Sequence, residues 1–189
     1  MSSSDPPLTP NDQVQKMFWT APKVERHEPT FKSQERQAFE EWLDYHRATL
    51  LFKCSGLTSA QLKERSATPS PLSLLGLVRH MTEVERWWFR MHADQQRLEF
   101  PYDPLQIGAD FNELEAADAK GNIEAYLSEI QAAKKAVADK ALDQNVPSRR
   151  DHSKTMNIRW IYLHMIEEYA RHNGHADLLR ERIDGQVGD

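Results

Sequence analysis

The stretch IRWIYLHMIEEYARHNGHADLLRERIDG, residues 158–185, decides the fold. At about 100° per residue, Ile161, Met165, Glu168, His172, Ala176 and Leu179 fall within one narrow sector, which predicts a long amphipathic helix from about Asn157 to Arg182. Glu168 and His172 stand on its apolar stripe and therefore face the core. A buried carboxylate without a partner is costly, whereas a divalent cation compensates its charge and uses imidazole lone pairs.

Working outward, PLSLLGLVRHMTEVERWWF, residues 71–89, repeats the arrangement. Ser73, Leu77, His80, Val84, Trp88 and Met91 share one sector of a second long helix, with Ser73 as its N-cap and an imidazole among apolar side chains. Before it, Phe31, Phe39, Trp42, Leu43, His46, Leu50 and Leu51 recur at the helical period and predict a first helix that ends at Gly56. Thr58 and Gln61 then stand at capping-box spacing. A third helix is expected from about Asn122 to Leu142, and residues 93–120 lack periodicity and are long enough to cross a bundle between the second and third helices. Four long amphipathic helices without strand-like alternation predict an all-α four-helix bundle over residues 31–185. Residues 1–30, with five prolines, form an N-terminal tail in which Phe18 and Trp19 can lie across the domain surface, and residues 186–189 form a C-terminal tail.

Bulk properties narrow the function. The 189 residues suit one domain; a net charge of -5 gives no basic footprint for nucleic acid. The N-terminus reads as neither signal peptide nor anchor, and no apolar run is long enough to span a membrane. The one cysteine, Cys54, excludes a disulfide framework and fits a reducing compartment, so a cytoplasmic protein is expected.

Spacing supports a metal reading. Residues four apart on a helix have Cβ atoms roughly 5–6 Å from one another, so Glu168 and His172 can reach one ion, with His80 supplied from the facing helix. Two histidines and a carboxylate form the donor set of open catalytic zinc sites and of facial-triad iron sites. His164 and His175 flank the same face; each can be a ligand, an outer partner or a proton carrier. His46 is ambiguous, while His27, His92 and His152 are expected to be solvated. Alternatively, each imidazole is a hydrogen-bonded core residue and Glu168 pairs with Arg171. Trp87, Trp88 and Phe89 read as core side chains, with pocket lining as the alternative, and Cys54 reads as a structural thiol.

Taken together, the two quoted motifs resemble the DinB superfamily in its actinobacterial branch, over roughly Glu35 to Gly185. The chain is similar to the metal-binding domain of the mycothiol-dependent maleylpyruvate isomerases, which hold zinc through a His of the second helix and an E-x-x-x-H pair in the last. That resemblance assigns His80, Glu168 and His172 as metal ligands, zinc as the first expectation with nickel or iron as alternatives, and a low-molecular-weight thiol such as mycothiol as cosubstrate. It implies thiol transfer to an electrophilic small-molecule substrate, with His175 or His164 moving the proton. The chain ends without the isomerase's additional C-terminal domain, so the maleylpyruvate reaction itself is not carried over. A non-catalytic metal-binding stress protein and a hydrolase using activated water are the competing functions, and a homodimer is a further expectation.

Overall fold

The computed structural model describes residues 19–102, 108–112 and 114–188. These residues are mostly helical, with one short hairpin. The long helices are α1 (Glu35–Cys54), α3 (Leu74–Glu85, continued by a π-helix over Arg86–Ala93), α4 (Ala119–Val137) and α5 (Ile158–Asp184), and α2 (Ser59–Lys63) is a single short turn. Phe18 and Pro104 lie outside the described residues.

Local chemistry sets the boundaries. Gly56, at φ 77°, takes the left-handed conformation that ends α1. The Thr58 hydroxyl accepts from the Gln61 amide while the Gln61 side chain accepts from Thr58 N, completing the capping box of α2. Ser73 Oγ accepts from Gly76 N at 3.1 Å to start α3, and Asn157 Oδ1 accepts from Trp160 N at 2.8 Å to start α5. Gly185, at φ 78°, closes α5.

Several expectations need correction. The first helix starts at Glu35, leaving Phe31 fully exposed instead of on the apolar stripe. The third helix begins and ends earlier than its periodicity suggested, at Ala119 and Val137. Between it and α5 the chain forms a hairpin, β1 (Asn145–Pro147) antiparallel to β2 (Thr155–Asn157), with Val146 opposite Met156. Three-residue strands are too short to show alternation in the sequence. The second helix does not stay α-helical: Asp94 N donates to Phe89 O, five residues back. Such wide turns are frequent near functional sites.

Packing is closest between α1 and α5 and between α3 and α4, with α3 against α5 joining the two pairs. Ile123, Tyr126, Ile130, Ala133 and Val137 bury one face of α4, and Ile161, Met165, Tyr169, Ala176 and Leu179 one face of α5. Each large apolar side chain so buried contributes roughly 1.5–3 kcal/mol. Trp19 packs on the core, and Ala21 N donates to Leu57 O at 2.9 Å, fastening that segment beside α2.

A polar chain runs through this core. Arg47 of α1 donates through Nε and Nη2 to Glu85 Oε1 and Oε2 of α3 at 2.7 and 2.8 Å. Tyr169 of α5 donates to Glu85 Oε1 at 2.6 Å, so the Tyr126 hydroxyl of α4, 2.8 Å away, donates to Tyr169. Every long helix thus supplies one buried partner. Burial, reinforced by the Glu85 charge, pushes the Tyr169 hydroxyl above its ordinary pKa.

Candidate metal centre

Helix α3 carries His80 and α5 carries Glu168 and His172, and all three side chains are partly buried where the helices face one another. One donor atom from each lies within 4.8 Å of one from both others. His172 Nε2 is 3.5 Å from Glu168 Oε2, and the His80 and His172 rings are 4.7 Å apart at 61°. Zinc bonds of about 2.0–2.2 Å in a tetrahedron separate donor atoms by about 3.3–3.6 Å, so the histidine–carboxylate pair already stands at a ligand spacing.

Both imidazoles are oriented from behind. Asp110, in the α3–α4 connection, holds His80 Nδ1 at 2.7 Å, which leaves Nε2 to face the cluster. His175 Nδ1 lies 3.3 Å from His172 Nδ1, again leaving Nε2 turned to Glu168. Burial, with His80 and His175 close by, pushes the His172 pKa down to about 4, so at neutral pH its lone pair is free of a proton. Three protein donors, each imidazole with a carboxylate or imidazole behind it, are the arrangement that divalent-cation sites use when they keep an open position.

The surroundings shape the cluster on two sides. Phe111, next to Asp110, stacks on His80 at 5.3 Å, and it lies so close to α3 that a Cβ on Gly76 would meet its Cδ1 at 2.7 Å. Here glycine is needed for a close approach. Burial and the nearby Asp110 charge raise Glu83 to about 6, while Tyr102 N donates to it at 3.2 Å. On the other side His164 Nε2 lies 3.4 Å from Glu168 Oε1, and its ring stacks on Trp160 at 5.0 Å and meets Trp88 edge-on at 4.6 Å.

The remaining histidines fall elsewhere. His46 is held by Asn173, whose Nδ2 donates to the His46 carbonyl at 3.1 Å. His27 and His152 are exposed, but His92 is fully buried, contrary to the solvated position expected at a helix end. The wider π-helical turn draws it inward between Trp87 and Trp88, where Nε2 accepts from Arg149 N at 3.1 Å. Arg171 pairs with Glu167 and not with Glu168. Cys54 is fully buried and its thiol is pushed up to about 12, which suits a structural role. Asp110 was not legible as a partner, since a lone acid in an aperiodic connection carries no spacing signal.

No helix among the described residues is long and apolar enough to cross a membrane. A family model described as Mycothiol-S-transferase matches residues 38–185. No curated protein and no solved structure matches the chain.

Proposed function

The chain belongs to the mycothiol-S-transferase family, within the DinB-like superfamily, and from that premise we propose that it joins a mycothiol-type thiol to an electrophilic small molecule at a divalent-cation site made by His80, Glu168 and His172. The observation that carries the reading is the convergence of these three donors from α3 and α5, with Asp110 and His175 behind the two imidazoles. In this reading the four long helices make one DinB-type bundle over residues 31–185. Zinc is the first choice of cation, with nickel or iron as alternatives, because the donor set alone does not fix the metal.

A divalent cation held by His80, Glu168 and His172 would lower the pKa of a bound thiol and so make a thiolate available at neutral pH. The protein's own groups do the rest. His80 and His172 offer Nε2 and Glu168 offers Oε2, while Asp110 and His175 hold the rings in place. His164, beside the second oxygen of Glu168, accepts the thiol proton. The sulfur–carbon bond forms as the leaving group departs with its bonding electrons, so no oxidant or reductant is needed. A reducing cytoplasm suits both this cosubstrate and the free Cys54.

The test is conjugation of a small electrophile by the zinc-loaded protein with mycothiol, cysteine or glutathione. Turnover with mycothiol, lost in His80→Ala and Glu168→Ala together with bound zinc while helicity is kept, is the expected result. No turnover with any thiol would point to a non-catalytic metal-binding protein. Hydrolysis of the electrophile without thiol would point to activated water.

A further inference from the structure

Glu168 presents two oxygens to two different histidines. Oε2 faces His172 Nε2 at 3.5 Å and Oε1 faces His164 Nε2 at 3.4 Å. The second contact differs from the ones that orient the metal cluster. Asp110 and His80 are at 2.7 Å, a strong hydrogen bond, whereas His164 makes no hydrogen bond among the described residues although its side chain is 23% exposed. Its other nitrogen, Nδ1, is 3.4 Å from Glu167 Oε2. One cation can take only one nitrogen of the ring, so of these two contacts the Nε2–Oε1 separation is the one that stands at the about 3.3–3.6 Å spacing of ligands around one tetrahedral cation.

We propose that Glu168 is a bridging carboxylate, and that His164, Glu167 and Glu168 Oε1 form a second, weaker divalent-cation site beside the first. This rests on the reading of His80, Glu168 and His172 as the first site. A donor atom from each of His164, Glu167 and Glu168 lies within 4.8 Å of the others, and the three side chains fall at i, i+3 and i+4 on one face of α5. Trp160 and Trp88 fix the His164 ring, so the imidazole needs no rearrangement to bind. Two features make the site the weaker one. Glu167 is 45% exposed, and its other oxygen is paired with Arg171, whose positive charge opposes a cation. Occupation removes the His164 lone pair that accepts the thiol proton, so excess cation suppresses thiol transfer without unfolding the chain.

The experiment is calorimetric titration of the metal-free full chain with zinc, with bound zinc counted by elemental analysis. The wild type should bind two equivalents, the second more weakly. His164→Ala and Glu167→Gln should each lose the second step and keep the first. Arg171→Gln should tighten the second step, a direction that misfolding cannot mimic. A single equivalent, abolished by His80→Ala and untouched by His164→Ala, overturns the second site and leaves the first standing. A wild type that binds no zinc overturns both. Persistence of the second step in both His164→Ala and Glu167→Gln also overturns it.

Discussion

Replacing Glu85 with glutamine leaves the Arg47 guanidinium, only 5% exposed, with the half-exposed Asp44 as its remaining counter-charge among the described residues. Breaking a buried ion pair by neutralising one partner costs about 3–5 kcal/mol. Glutamine keeps one acceptor for Arg47 or Tyr169, and Asp44 Oδ1 lies 3.1 Å from Nη1, so the low end, about 3 kcal/mol, is expected. For a chain of this length each kcal/mol lowers Tm by roughly 2–4 °C, giving a fall of roughly 6–12 °C. Urea unfolding of the metal-free protein, followed by far-ultraviolet circular dichroism, measures the difference. The companion variant Arg47→Met, Glu85→Leu, Tyr169→Phe removes the charges and the central hydroxyl together, and it should lose less than Glu85→Gln alone. A single-variant loss below about 1 kcal/mol, or a triple variant less stable than the single, would refute the account of an interlocked buried pair.

Asp110→Asn should weaken zinc binding roughly 10–100-fold with circular dichroism unchanged, since it releases His80 Nδ1; equal affinities in a competition titration would contradict its orienting role. The His172 pKa lies below that of an unfolded histidine, so the unfolded chain binds more protons between pH about 6.5 and about 4. Metal-free stability should accordingly be full above that window and fall by up to about 3 kcal/mol as pH drops through it. His172→Gln should flatten that limb of the urea-midpoint curve, and an unchanged slope would count against the burial of a neutral ring. Gly76→Ala, which in an open helix would gain about 1 kcal/mol, should instead displace Phe111 and the adjacent Asp110 and lower zinc affinity. A more stable variant with unaltered zinc titration would show that Phe111 is free to move aside.

The features that were legible in the sequence share one property: they depend on neighbours along the same helix. The stripe through Ile161, Met165, Glu168 and His172 and the cap at Ser73 are set by residues three or four apart, and these positions behave in the structure as that spacing implies. What escaped was chosen by tertiary packing. Glu85 looks like one more charge in VERWWF, and nothing local tells that Arg47 and Tyr169 wait for it. The π-helix after Glu85 is likewise invisible to a fixed angular step, and it buries His92 although a position at a helix end implies solvent. The candidate ligands were readable because their misplaced polarity is local; their outer partner Asp110 was not, because it arrives from a connection thirty residues away.

The hydrogen-bonded chain of Arg47, Glu85, Tyr169 and Tyr126 also bears on how the neighbouring cluster would receive a cation. Sliding α5 past α3 by one turn, about 5.4 Å, would strand Glu85 and carry Glu168 away from His80, so one set of interactions fixes both registers. The donors are therefore gathered by the fold itself, and the entropy of bringing them together is borne during folding. Any cation taken there would meet a finished receptor. A chelator should empty it and leave the helices standing, unlike the small metal-nucleated domains that unravel when stripped.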